Sequence, residues 1–313
     1  MTARFLWGFC LLGLLAWSVT VFESAVEATE QHDINGEIIN GTFDTVAPPG
    51  LLVTLHIVSV NRGVETLTSR TDDKGIFRFM DLDVDDVVSY VISVTYKDVV
   101  YTNSFASNDI AKWIEINIYE TTVNMDAITV SANVLLVTET VENKGSVYIL
   151  ELITVANKGM RTFVNGPRGA ENMNFLRFSL PPEFTNLEVQ SKLVTGGQLL
   201  TTERGFALTA PVQPGDHEVA LTYKVRYQQK KLEFIRSFPI GTDVFRLLLP
   251  EGMGYLTAES FRELDPAVLP GSVYRVWSKK SVVRGSHVEV VIEGLPGQSI
   301  IQKIWVILGE GSY

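Results

Sequence analysis

The sequence predicts an all-β protein in which two antiparallel β-sandwich domains stand in tandem after a signal peptide. Short segments rich in β-branched and aromatic residues alternate apolar with polar positions along nearly the whole chain, and Gly, Pro, Asn and Asp separate them. The periodicity typical of helices is almost absent. The 313 residues, 46% hydrophobic and 20% charged, suit two globular domains better than one domain or a disordered chain.

The alternation is clearest between His217 and Tyr227. We expect the apolar residues of this strand to face a core and its polar residues to face water, because antiparallel sheets commonly bury one face. The inward set is Val219, Leu221, Tyr223, Val225 and Tyr227, and the outward set is Glu218, Thr222, Lys224 and Arg226. Val288, Val290 and Ile292 repeat the pattern near the end of the chain.

The first domain is predicted to span residues 31–130. Seven or eight strands in about a hundred residues is the number typical of a sandwich. The predicted strands are Ile34–Ile39, Leu51–Ser59, Glu65–Arg70, Ile76–Met80, Ser89–Tyr96, Val99–Phe105, Trp113–Ile118 and Ala127–Val130.

The second domain is predicted to span residues 134–298. Leu135–Glu142 and Ser146–Ala156 are expected to form a hairpin, because the sequence between them has turn chemistry. Thr162–Asn172 is predicted as a long loop and Asn174–Leu180 as the strand that follows it.

The N-terminus has the pattern of a secretory signal peptide over residues 1–28. Arg4 is the only charge before an apolar run from Phe5 to Phe22, and small residues follow, so cleavage is expected after Ala25 or Ala28. The alternative is an uncleaved membrane anchor, because the run reaches the lower limit for spanning a bilayer. Either way, the sequence predicts export to the periplasm or the cell surface.

The C-terminal residues 299–313 are predicted to be a last strand or the remainder of a lost anchor. Gln302 and Lys303 interrupt their apolar run, which is too short to span a bilayer. The one cysteine, Cys10, lies inside the N-terminal apolar run. A cleaved chain would therefore have neither a disulfide nor a thiolate metal site.

The charge is concentrated in the first domain. Residues 29–130 carry 16 Asp and Glu against 6 Lys and Arg, whereas residues 131–313 carry 18 against 19. An acidic domain repels phosphate backbones, and no basic stripe with interleaved aromatics is present in the sequence. We therefore expect no nucleic-acid partner.

The sequence contains no recognisable catalytic constellation, and no cofactor is predicted. There is no G-x-S-x-G nucleophile motif. The histidines are far apart in the sequence and form no metal-binding pair: His32, His56, His217 and His287.

The weak metal candidates are three alternate aspartates, Asp81, Asp83 and Asp85. Their carboxylates offer the oxygen ligands that Ca²⁺ prefers, although the favoured interpretation is an acidic solvated loop. Aromatic residues give a second candidate site, a platform for stacking on sugars, with membership of the core as the alternative. They are Tyr96, Tyr101, Trp113 and Tyr119.

One segment carries a family resemblance. Thr71-Asp72-Asp73-Lys74-Gly75-Ile76-Phe77-Arg78-Phe79, with Ile34-Asn35-Gly36-Glu37-Ile38 upstream, resembles the carboxypeptidase regulatory-like domain. That is a transthyretin-like or starch-binding-like sandwich found in bacterial envelope proteins. The resemblance implies an acidic turn that ends at Gly75 and delivers Phe77 and Phe79 to the core, and such domains are mostly accessory modules.

These observations together predict a non-enzymatic accessory protein of the cell envelope that mediates assembly or protein contacts. The alternative is a carbohydrate-binding module protein. The expected partner is an envelope protein or a polysaccharide, and membrane attachment would use an uncleaved N-terminal segment.

Overall fold

The computed structural model describes residues 31–83, 87–109, 112–138, 145–166, 174–195, 197–258 and 260–296. The predicted signal peptide, residues 1–28, and the C-terminal segment, residues 299–313, lie outside the described residues. Within the described ranges, the prediction of an all-β protein is confirmed. Their helical structure consists of a 3₁₀ turn, Ser107–Asp109, and one short helix, α1 (Lys192–Thr195).

The first eight strands form a sandwich of two sheets. They are β1 (Gln31–Asn40), β2 (Thr45–Val46), β3 (Leu52–Ser59), β4 (Gly63–Arg70), β5 (Ile76–Asp83), β6 (Val87–Tyr96), β7 (Val99–Ala106) and β8 (Ile114–Ile118). One sheet has the antiparallel order β4-β3-β6-β7. In the other, β1 is central, with β2 and β5 along one side and β8, which runs parallel to β1, along the other.

The first core lies between these two sheets. Every residue of its buried apolar cluster lies between Ile34 and Ile118. Phe77 and Phe79 are both buried in this cluster, with their rings edge to face at 6.1 Å between centroids. The face predicted for this strand is therefore confirmed.

The remaining strands build a second, larger sandwich and the connection to it. They are β9 (Thr121–Thr122), β10 (Ile128–Thr138), β11 (Ser146–Asn157), β12 (Thr162–Phe163), β13 (Leu176–Ser179), β14 (Thr185–Gln190), β15 (Leu199–Thr202), β16 (Gly205–Leu208), β17 (Gly215–Arg226), β18 (Lys231–Phe238), β19 (Thr242–Pro250), β20 (Tyr255–Leu256), β21 (Arg262–Leu269), β22 (Ser272–Val282) and β23 (Ser286–Glu293).

One layer of this sandwich is a seven-stranded sheet of order β14-β17-β11-β10-β19-β22-β21. Two three-stranded sheets, β13-β16-β15 and β18-β23-β20, contribute to the same core. Ile149, Tyr223 and Phe245 of the large sheet belong to one buried cluster with Phe178 and Phe234 of the small sheets. The predicted inward face of β17 is confirmed, because all five of its predicted apolar residues are buried in that cluster.

The two small sheets meet without a backbone ladder between them. Where β13 and β18 approach each other, the Ser179 hydroxyl accepts a hydrogen bond from the Ser237 N–H and donates one to the Ser237 carbonyl, both at 3.0 Å. One side chain thus performs the pairing that a strand backbone would otherwise provide. This layer of the sandwich is therefore split between β13 and β18.

The structure differs from the sequence prediction in three places. Ala127–Val130 was predicted to close the first domain, but Ile128 and Val130 begin β10 and lie in the second core, because no turn interrupts the strand between them and Thr138. The predicted loop at Thr162–Asn172 starts with the buried strand β12, because β12 pairs with β9. The sheets are also not purely antiparallel: β1 with β8 and β10 with β19 are parallel pairs.

The two sandwiches are joined through β9 and β12. Tyr101 of the first sandwich is within 3.0 Å of the Thr162 hydroxyl, in a buried contact, and also donates to the Tyr119 carbonyl. Val164 packs against the first core. Glu120 accepts hydrogen bonds from Tyr96 at 2.6 Å and from Asn40 at 3.3 Å. The connection is therefore a packed and hydrogen-bonded junction.

Candidate functional site

The most buried polar cluster lies inside the second sandwich, next to the split between β13 and β18. Glu151 projects inward from β11 and forms an ion pair with Arg236 of β18. The same carboxylate accepts hydrogen bonds from Asn133 at 2.9 Å and from Tyr223 at 3.0 Å. Burial, followed by the neighbouring Glu151 charge, raises the pKa of Tyr223 well above its usual range. The tyrosine therefore remains a neutral donor to the carboxylate.

Arg236 connects this cluster to the split layer. Besides Glu151, its guanidinium donates to the carbonyl of Ser179 at the end of β13. Removing one member of a buried pair is costly, because the other charge then lacks a partner in a poorly solvated interior. The cluster thus fixes the seven-stranded sheet, β13 and β18 relative to one another.

The space beside the cluster is too small for a substrate. Asn133 and Arg236 line a cavity of about 20 Å³ together with Arg177, Phe178 and residues 237–241. A cavity of this size accommodates a water molecule. Asn133 Oδ1 and Arg236 Nε are buried there without a protein partner among the described residues. The cluster and the cavity together form a buried polar network with space for one water molecule.

A serine and a histidine also meet on the outside of β18 and β23. Ser237 Oγ lies 2.9 Å from His287 Nδ1, and both residues are on the solvent side of their strands. Acyl transfer commonly uses the nucleophile's own N–H to stabilise an oxyanion. The N–H of Ser237 is already donated to Ser179. The serine and the histidine therefore have the contact that nucleophilic catalysis needs, but the Ser237 N–H is not available to stabilise an oxyanion.

Of the three predicted calcium ligands, Asp81 is the one whose side chain lies within the described part of the structure. Asp81 is exposed at a left-handed bend, with a φ of 58°, and its N–H donates to the Asp33 carboxylate at 3.1 Å. Asp83 ends β5, and Asp85 lies outside the described residues. No group of three His, Cys, Asp or Glu side chains with metal-binding geometry occurs within the described ranges.

The predicted aromatic residues do not share one exposed face. Tyr101 is only 1% exposed and belongs to the first core, and its ring contacts that of Tyr119 at 6.1 Å. Trp113 is 54% exposed and donates to Glu37 at 3.3 Å. Core packing therefore explains Tyr101, and Trp113 is the most exposed of the four aromatic residues.

One candidate interaction surface is the outer face of the seven-stranded sheet, here called the basic face. Its register places Leu150, Leu136, Leu248, Val276 and Leu264 in one row across five strands, and of these Leu248 and Val276 are buried. Leu152 is 50% exposed beside this row. The face also carries Lys224, Arg226, Arg246, Arg262 and Lys280, against the acidic residues Glu188, Asp216 and Glu218.

A second surface is the outer face of the sheet formed by β1, β2, β5 and β8, here called the acidic face. Glu37 and Glu115 lie directly opposite each other on the parallel strands β1 and β8. Like charges in this position repel each other. The face also carries Asp33 and Arg78, and its exposed apolar residues are Val46, Met80 and Trp113.

Glu151 and Arg236 were missed in the sequence, although a signal was present. Glu151 lies between Ile149 and Ile153, and Arg236 lies between Phe234 and Phe238, so each charge occupies an inward position of an alternating strand. Two charges of opposite sign on buried faces predict a buried pair. The basic and acidic faces were not predicted, because they depend on which strands become neighbours.

Comparisons with known proteins add little to these observations. No family model and no curated protein matches the chain. An M1 zinc metallopeptidase from Deinococcus radiodurans is similar over 55% of this chain and 43% of its own, with 9% identity and a TM-score of 0.33. The major pilin SpaD from Corynebacterium diphtheriae is similar over 87% of this chain and 84% of its own, with 10% identity and a TM-score of 0.25.

A putative protease from Parabacteroides distasonis is similar over 53% of this chain and 40% of its own, with 10% identity and a TM-score of 0.29. The chain thus spans less than half of the metallopeptidase and protease chains. All three TM-scores are below 0.5, and none of these likenesses carries an argument about function.

Among the residues described, no helix has the length and apolar character needed to cross a bilayer.

Proposed function

We propose that this chain is a non-enzymatic accessory protein of the cell envelope that mediates protein contacts through its basic face. The observation that carries the proposal is a strip of apolar side chains along the outer face of β11, in which Tyr148 and Leu152 are 42% and 50% exposed on either side of the partly exposed Leu150. Contiguous exposed apolar surface of this kind marks protein interaction sites in soluble domains. Apolar contacts flanked by arginine suit a protein partner better than a polysaccharide.

The non-enzymatic part of the proposal is supported by how the polar groups are used. Glu151 and Arg236 are occupied with each other and with backbone and side-chain partners around a water-sized cavity. The Ser237 N–H is engaged by Ser179. Turnover of an ester, peptide or glycoside substrate that is lost in Ser237→Ala or His287→Ala would contradict it.

Export is the third part of the proposal, and it rests on the charge and apolar pattern of residues 1–28. Sequencing the mature N-terminus tests it. Val26 or Thr29 is the expected first residue, whereas a retained Met1 would indicate an anchored chain.

The contact itself is tested by placing a photo-crosslinking amino acid at position 152 in cells that export the chain. Irradiation is expected to yield an adduct with another polypeptide. The matched control is position 200, because Leu200 is also exposed but lies on β15, away from the basic face. Equal adduct formation at both positions, or none at position 152, would contradict the proposal.

A further inference from the structure

The basic face and the acidic face have complementary chemistry on one chain. The basic face carries five cationic and three acidic side chains around its apolar row. The acidic face carries three carboxylates and one arginine beside exposed Val46, Met80 and Trp113. Each face thus presents apolar surface and a net charge opposite in sign to that of the other face.

The acidic face also contains a repulsion that a cationic partner would relieve. Glu37 and Glu115 are cross-strand neighbours, and Asp33 projects from the same side of β1 as Glu37. Within the described structure, Glu37 accepts from the Trp113 indole and Glu115 from the Asn117 amide, which are both neutral donors. An arginine placed over this pair would stabilise both carboxylates.

We propose that the basic face of one chain docks on the acidic face of a second copy. The inference rests on the proposed function and names its partner. Because the two faces are different surfaces, the contact is heterologous, and each added chain leaves one basic and one acidic face free. The product is therefore an open, head-to-tail assembly rather than a closed twofold dimer, unless its rotation closes a ring.

Charge complementarity favours a second copy over an anionic membrane as the occupant. A lipid surface would engage the basic face alone and would leave the acidic face without a role. Docking between copies uses both faces and brings the acidic first sandwich against the cations of the second.

Sedimentation velocity of the purified chain over a range of concentrations tests the inference. The mean mass is expected to rise with concentration and to fall when salt is raised, because exposed charges are screened. The variant Arg246→Gln/Arg262→Gln removes charge from the basic face, and Glu37→Gln/Glu115→Gln removes charge from the acidic face. Each is expected to weaken association about tenfold or more. Arg204→Gln, in the turn between β15 and β16, and Glu65→Gln, on β4, are single-charge controls outside both faces and should associate like the original chain. Thermal melts of all variants check that they remain folded.

Mixing the two double variants gives the sharper result. One retains only the basic face and the other only the acidic face, so the mixture is expected to form one-to-one dimers that do not grow. The inference would be overturned if the basic-face variant stayed monomeric while the acidic-face variant still dimerised on its own. That result would indicate that the contact joins two basic faces. A chain that stays monomeric at every concentration would overturn it as well. In that case a specific adduct at position 152 with a different protein would leave the proposed function standing.

Discussion

Gly75 shows how one residue position constrains the first sandwich. It ends the acidic turn with a φ of 75°, and the Asp72 carboxylate accepts from the N–H groups of Lys74 and Ile76 at 2.9 and 2.8 Å. Left-handed backbone costs a non-glycine residue about 1–2 kcal/mol. A Cβ at Gly75 would also lie 2.7 Å from the Ile38 carbonyl oxygen.

Gly75→Ala is therefore expected to reduce the free energy of unfolding more than Gly50→Ala. Gly50 has a similar φ of 80° but open space where its Cβ would be, so the control carries only the backbone strain. Urea titration of both variants measures the difference. Equal losses would mean that the turn can move away from β1 without cost.

Phe77 provides a second test at the residue scale. Its ring is 1% exposed between the two sheets of the first sandwich. Phe77→Ala is expected to cost about 3–5 kcal/mol through lost burial and the cavity left behind. Arg78→Ala, one residue along and on the solvent side, should change the stability by less than about 0.5 kcal/mol. If Phe77→Ala were neutral in the same urea titration, the assigned face of β5 would be wrong.

At the level of elements, alternation in the sequence was sufficient to place most strands and their faces. It could not reveal that β1 pairs with β8 in parallel or that β13 and β18 leave a split, because these features depend on contacts between residues far apart in the chain. Ala127–Val130 was assigned to the wrong sandwich for the same reason. The pattern shows that this segment is a strand, but it does not show which sheet the strand joins.

The Glu151–Arg236 pair is the element-scale feature with the clearest energetic consequence. Glu151→Gln and Arg236→Met are each expected to destabilise the second sandwich by about 3–5 kcal/mol, because each leaves one buried charge unpaired. The double variant Glu151→Gln/Arg236→Met should cost less than the sum of the two single losses, since no uncompensated charge remains. Additive losses in a double-mutant cycle would indicate that the two side chains act independently.

At the scale of the whole molecule, the Tyr96–Glu120 hydrogen bond makes the junction sensitive to pH. The bond lowers the pKa of Glu120 below 4.5 and raises that of Tyr96 from 10.0 to about 12. A carboxylate with a depressed pKa contributes stability that is lost as the pH falls through its folded value. A tyrosine with a raised pKa contributes stability that is lost as the pH rises through about 12.

Tyr96→Phe is accordingly expected to cost about 1 kcal/mol near neutral pH. The difference from the original chain should shrink as the pH falls below 4.5, the usual value for Glu120. Urea titrations at neutral and acidic pH measure it. Tyr148→Phe, on the exposed basic face, is the control, and its effect should not vary with pH in this way. If the stability lost in Tyr96→Phe did not vary with pH, the contribution of Tyr96 to stability would not depend on the charge of Glu120.

The two cores draw on separate stretches of chain, and this predicts that each sandwich folds alone. The division belongs between Asp126 and Ala127, because β10 starts at Ile128 and a later cut would remove Ile128 and Val130 from the second core. Fragments 31–126 and 127–313 are expected to melt cooperatively with β-type circular dichroism. The first fragment should melt below its transition in the full chain, because it loses the packing of Val164 and the contact between Tyr101 and Thr162. If fragment 31–126 proved unfolded, the junction would have to be part of the first core itself. An unchanged melting temperature would instead mean that the junction orients the two sandwiches without stabilising them.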